Sequence, residues 1–317
     1  MKNILISVFT LLLTFNAIHA QNDSMYIVKA GSIIGKYNVS EVDSIIFYKH
    51  ITVTPSDISY VQITGGMFIM GSAASEVGRN TNETQHAVTI SNFKMSKYEI
   101  TNTQFADFLN AKNINNSGLY SASAKPLEPL IYESNGISDW GLHYANNKWT
   151  PVIGFEKHPV IFVTWNGAFE YAKYVGGRLP TEAEWEYACR ANTTTPFSTG
   201  NCLSNLQDNY NWDYPYSTCA NSNLTLNNAT TEVGLYQANA FGLYDMHGNV
   251  CEMCSDWYGD YPTTPQVNPK GPFSGSFYVF RGGSFQTTAG TCRSAARPLM
   301  YPSGYGNSLG FRVVSDK

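Results

Sequence analysis

Residues 176–191 read GGRLPTEAEWEYACRA. Pro180 fixes the backbone ahead of Thr181, and Thr181-x-x-Glu184 has the form of a capping box, in which the hydroxyl takes the third helical amide and the glutamate reaches back to the cap's own N–H. The spacing predicts a helix from Glu182 that carries Cys189 near its end. The glycine pair in front of it closes another segment, in which Trp165, Ala168, Ala172 and Val175 share a face and Thr164 is the cap.

Working outward, Thr101-x-x-Gln104 is a second capping box, with Phe105, Phe108 and Leu109 on one face behind it. VQITGGMFIMGS (61–72) predicts a strand that contains a glycine pair, and HAVTISNFKMSKYEI (86–100) predicts another. Residues 110–160 are rich in Asn, Ser, Gly and Pro and read as one long loop, and beyond Asn192 only short strands and loops are expected. Few helices amid irregular β structure make an α+β, loop-rich class.

Residues 1–20 read as a secretory signal peptide, with Lys2, an apolar run from Ile4 to Phe15 and Ala20 ahead of Gln21. Ser7, Thr10 and Thr14 break that run and no cysteine follows it to take a lipid, so no lasting membrane span is expected. The protein is therefore expected to be exported, to the periplasm, the cell surface or the medium. Residues 21–57 alternate in short β-type runs with Gly31 and Gly35 as turn positions, and they form a small β-rich leader to a main domain at 58–317. A formal charge of −4 in a 317-residue chain supplies no basic field for nucleic acid. All six cysteines fall between Cys189 and Cys292. An even count in an exported chain favours disulfides, with 15 full pairings open. Cys251-x-x-Cys254 lacks the second pair of a zinc site and reads as a local disulfide, alongside Cys202–Cys219. His86, His143, His158 and His247 have no serine or acid framed beside them and read as structural.

The blocks GGMFIMGS, YEITNTQFADFL, HPVIFVTW, GGRLPTEAEWEYACRA, NAFGLYDMHGNVCEM, RGGSF and LGFRVV occur in this order. Together they resemble the formylglycine-generating enzyme (sulfatase-modifying factor) family. The resemblance implies a complex C-type lectin fold with little regular secondary structure. It also implies a choice of activities: oxygen-dependent oxidases that turn the cysteine of a Cys-x-Pro-x-Arg motif in sulfatases into formylglycine, sulfoxide synthases, and ligand-binding proteins diversified by retroelements.

In the oxidases, as the resemblance implies, two cysteines hold a cuprous ion, one three residues past the Gly-Gly-Ser serine and one five further on. Counted from Ser284 these positions are Thr287 and Cys292, and a threonine hydroxyl does not replace a thiolate on a soft ion. With a gap, Cys292 instead matches a third family cysteine just before Ala-Ala-Arg, which is disulfide-bonded to the helix cysteine. That alignment implies a Cys189–Cys292 bridge. Cys251 and Met253 stand where the family has tryptophans, the first of which lines the oxidase pocket. A calcium site is implied at Asp245, Gly248, Val250 and Glu252; a second, starting at Asn209 and Tyr210, lacks its later aspartate. Tyr301, Ser303, Tyr305 and Asn307 have the composition of adaptable binding loops and are expected to line the same pocket. The expected function is an exported, non-catalytic recognition or structural domain for a protein, peptide or glycan. The alternatives are an oxidase using Cys292 and copper, or a retroelement-diversified receptor.

Overall fold

A computed structural model describes residues 24–29, 32–38, 58–134, 140–217, 219 and 228–316. The expected signal peptide and the end of the leader lie outside these residues. The chain divides into two compact units, Met1–Thr52 and Val53–Lys317.

In the first unit, β1 (Ser24–Lys29) and β2 (Ser32–Asn38) pair antiparallel with a bulge between Ile27 and Val28. Gly35, expected in a turn, instead pairs with Ile27 inside β2.

In the second unit the two runs expected as single strands are each broken in two. β3 (Tyr60–Ile63) pairs with β6 (Phe93–Ser96), while β4 (Gly66–Met70) pairs with β5 (His86–Ile90) in a different sheet. The crossing point forces the break: a Cβ on Gly65 would lie 2.1 Å from the Ile90 carbonyl oxygen. The long loop also holds a hairpin, β7 (Leu142–Ala145) with β8 (Lys148–Pro151). Its turn residues Asn146 and Asn147 have φ of 52° and 59°, the left-handed pair that a type I′ turn requires. β9 (Cys251–Trp257) lies at the centre of a sheet with β11 (Tyr278–Arg281), β12 (Leu299–Met300) and β13 (Leu309–Gly310), in the order β12-β11-β9-β13. β10 (Gln266–Val267) adds to β5, and β14 (Val314–Ser315) to β6.

The described residues contain three helices: α1 (Asn102–Ala111), α2 (Trp165–Tyr174) and α3 (Glu182–Arg190). Both capping boxes form, and the Thr164 hydroxyl accepts from the Gly167 amide at 3.0 Å. In α3 all nine residues are buried, although the helix contains Glu182, Glu184, Glu186 and Arg190. Such burial is tolerable only with full pairing. Glu186 pairs with Arg190 and Arg281, Glu182 with Arg297, and Glu184 with Arg178. α3 thus forms a charged spine beneath the segment 281–297.

Candidate functional site

β11 delivers Arg281 to the foot of α3, and the chain then turns through Gly282 and Gly283 at φ of 89° and 69°. No other residue fits at Gly283, where a Cβ would lie 2.5 Å from the Cys292 sulfur and 2.8 Å from Thr287 Oγ1. This turn folds Ser284, Thr287 and Cys292 onto one another. The Ser284 amide donates to Thr287 Oγ1 at 2.8 Å, that hydroxyl donates back to the Ser284 carbonyl at 3.1 Å, and Oγ1 lies 3.6 Å from the Cys292 sulfur. The two positions counted without a gap from Ser284, Thr287 and Cys292, are thus neighbours in space, and at the first of them stands a hydroxyl.

Ser294, directly ahead of Ala295-Ala296-Arg297, lies 3.6 Å from the Cys189 sulfur. It occupies the place expected for a bridging cysteine, and the implied Cys189–Cys292 disulfide is absent, both residues being buried free thiols. His247 stands between them. Its Nδ1–H donates to the Cys292 carbonyl at 2.8 Å, its Nε2 accepts from the Ser198 amide at 2.9 Å, and its ring nitrogens lie 3.8 Å from the Cys189 sulfur. Burial lowers the pKa of this imidazole, against the opposing pull of Asp208.

The expected Cys251–Cys254 bridge is also absent. Positions three apart on a strand face opposite sides of the sheet, and here Cys251 enters the core around α1 and α2 while Cys254 enters the core around α3. Cys202 and Cys219 are bonded as expected, with Cα atoms 5.7 Å apart.

Cys292 has no exposed surface. It belongs to a buried cluster with Phe197, Leu203, Tyr210, Trp212, Tyr216 and Ala289. Burial raises its pKa well above that of an ordinary thiol, and pushes Cys251 up to about 12. Dry burial of this kind keeps a thiol protonated and unreactive. The Gly283 amide faces the Cys251 sulfur, so Cys251 and Cys292 flank the same glycine.

The turn 245–252 carries a buried surplus of carboxylate. Glu252 accepts from Arg312 Nε and Nη2, each at 2.6 Å, and from the Trp185 indole at 2.8 Å. Glu99 accepts from Asn249 Nδ2 and the Val250 amide. Burial, then the nearby carboxylates of Asp245 and Glu252, raises Glu99 well above the carboxylate range, and burial raises Asp245 to about 6. Asp245 Oδ2 accepts from the Gly234 amide, whereas its buried Oδ1 has no partner. An unpaired buried oxygen beside excess negative charge fits a hard cation. Asp245, the Gly248 and Val250 carbonyls and the remaining lone pair of Glu252 would hold it.

The loop expected to line the pocket leads into Ser308, whose carbonyl accepts from the Cys251 amide at 2.8 Å. Tyr301, Ser303 and Tyr305 are exposed and Asn307 is half-buried. Tyr305 stacks on Tyr132 at 3.8 Å between ring centroids and Tyr301 packs on Phe277 at 4.5 Å. Sequence reading missed Tyr132, and also Trp140, which packs edge-on against Phe285. Both lie in the stretch taken as undifferentiated loop, where their only signal was aromatic character.

Residues 51–317 match the sulfatase-modifying factor enzyme 1-like domain. The chain is 31% identical over 280 residues to the formylglycine-generating enzyme of Mus musculus, covering 81% of this chain and 74% of that one. It is 31% identical over 287 residues to the formylglycine-generating enzyme of Streptomyces coelicolor, covering 81% and 88%. Among solved structures it is similar to PvdO from Pseudomonas aeruginosa, with a TM-score of 0.59 at 25% identity, covering 81% of this chain and 94% of that one. The small sheets and buried glycine turn thus form a formylglycine-generating-enzyme-like fold, and the chain belongs to the sulfatase-modifying factor enzyme 1-like family.

Proposed function

We propose that this chain is an exported, non-catalytic member of its family, a recognition or structural module whose ligand is a protein, peptide or glycan. The observation that carries the reading is the hydroxyl of Thr287 lying 3.6 Å from a fully buried Cys292. A cuprous ion on this pair would have one thiolate and one neutral hydroxyl, and a soft monovalent ion requires two soft donors. The recognition surface is the loop 301–307, where the Tyr305–Tyr132 stack holds one exposed ring rigid at little further entropic cost on binding. The same reading gives the Asp245 turn a structural calcium ion, supported by the unpartnered Oδ1.

A second reading, an altered oxidase, is favoured by the placement of Cys251 and Cys292 on either side of Gly283. Equilibrium dialysis of the folded protein against calcium and, separately, against cuprous ion with a competing chelator separates the two. The proposed function expects calcium to be retained, and lost in Asp245→Ala, with no copper retained. Copper retained by the wild type and lost in both Cys251→Ser and Cys292→Ser would favour the oxidase.

A further inference from the structure

We propose that residues 210–217 form a redox-controlled lid over the Cys292 thiol, latched by the Cys202–Cys219 disulfide. Tyr210, Trp212 and Tyr216 supply three of the rings in the buried cluster that contains Cys292. Two backbone bonds tie the lid down, from the Asn211 amide to the Thr287 carbonyl at 2.9 Å and from the Ala289 amide to the Tyr214 carbonyl at 3.3 Å. A third tie is the Tyr216 hydroxyl on the Val77 carbonyl at 2.7 Å.

One end is hinged and the other is latched. Asp208 and Asn209 are fixed to the turn at 247–249, the His247 amide donating to Asp208 Oδ2 at 3.0 Å and the Asn249 amide to the Asn209 carbonyl at 2.7 Å. Beyond them the lid has no helix or strand, its outer residue Tyr214 is exposed, and its buried Trp212 Nε1 has no partner. Opening lets that N–H bond to water, which offsets part of the packing and hydrogen bonding lost. The disulfide, with a separation of 17 residues, restricts the chain where packing does not. Cutting a closure of this length raises the population of an opened loop by on the order of a hundredfold.

The latch is reachable and the thiol is not: Cys202 is exposed, whereas Cys292 is sealed. A dithiol reductant attacks one sulfur of the bridge to form a mixed disulfide, and its second thiol then displaces that sulfur. Two electrons and two protons pass to Cys202 and Cys219, which become thiols, and the reductant leaves as its own disulfide.

The test is timed maleimide labelling of the folded full chain with mass mapping of each cysteine, in oxidised wild type, in wild type reduced with dithiothreitol and desalted, and in Cys202→Ser/Cys219→Ser. The expected result is that Cys292 is protected when the bridge is intact and reacts on the order of a hundredfold faster in the other two samples. Cys189, Cys251 and Cys254 stay protected throughout. Unchanged protection of Cys292 in reduced wild type would overturn the lid. So would simultaneous labelling of all four buried thiols there, since that marks global unfolding.

Discussion

Replacing Glu186 by alanine is expected to cost about 3–5 kcal/mol, the penalty of removing one partner from a buried ion pair. The side chain has no exposed surface and accepts from the Gly71 amide at 2.9 Å, from Arg190 Nε at 2.9 Å and from Arg281 Nη2. Burial works to raise this carboxyl, but the Arg190 and Arg281 guanidiniums outweigh it and hold the carboxyl below its usual range. The alanine variant leaves Arg190 buried without its counter-ion, Arg281 with only Glu182 at 3.9 Å, and the Gly71 N–H without an acceptor. Because domains are stable by about 5–15 kcal/mol in total, it should fold marginally. Glu186→Gln keeps an acceptor and loses the charge, so urea denaturation should place it between wild type and Glu186→Ala. A loss below about 1 kcal/mol for the alanine variant, the range of surface pairs, would show that the spine beneath 281–297 is hydrated.

The second large effect depends on pH. Asp256 is buried, and its Oδ2 accepts from the Glu182 amide at the start of α3 and from the Ser255 hydroxyl. Burial, then the Glu182 carboxylate, raises its pKa to about 7. An unfolded aspartate titrates near 3.9, so the folded state holds a proton that the unfolded state has released. The associated stability is present in full below about pH 4 and is lost as pH rises through about 7, an effect on the order of 3–4 kcal/mol. Asp256→Asn keeps an acceptor oxygen and cannot ionise. Its stability should fall less than that of wild type between pH 4 and 8, leaving it the more stable protein at pH 8. Glu99, Asp208 and Asp245 act in the same direction and His247 in the opposite one. All four are common to both proteins, so the difference between the two curves isolates Asp256. Parallel curves would mean that Asp256 is charged in the fold.

What was legible in the sequence was local. A capping box is decided within four residues, and the boxes at Thr101 and Thr181 formed as the spacing predicts. Sheet membership is decided across the chain, and nothing in VQITGGMFIMGS marks the passage of Gly65 over Ile90 that sends its halves to different sheets. The β7–β8 hairpin did carry a signal, Asn146-Asn147 between aromatic residues, which was submerged in a polar stretch. The pairing of the α3 charges was not legible, because Arg281 and Arg297, which neutralise Glu186 and Glu182, are about a hundred residues away. At the site, composition favoured disulfides, but the parity of strand positions separates Cys251 from Cys254. Ser294 rather than Cys292 meets Cys189, which only the spatial register of the 284–297 turn could settle.

The account rests on Thr287 having removed one of two thiols and on Cys292 being sealed. Its most direct test is incubation of the purified protein, oxidised and reduced, with cuprous ion, oxygen and a Cys-x-Pro-x-Arg peptide, followed by mass analysis of the peptide. The account predicts a peptide whose cysteine is unchanged in both samples. Conversion of that cysteine to formylglycine, abolished by Cys292→Ser, would contradict it.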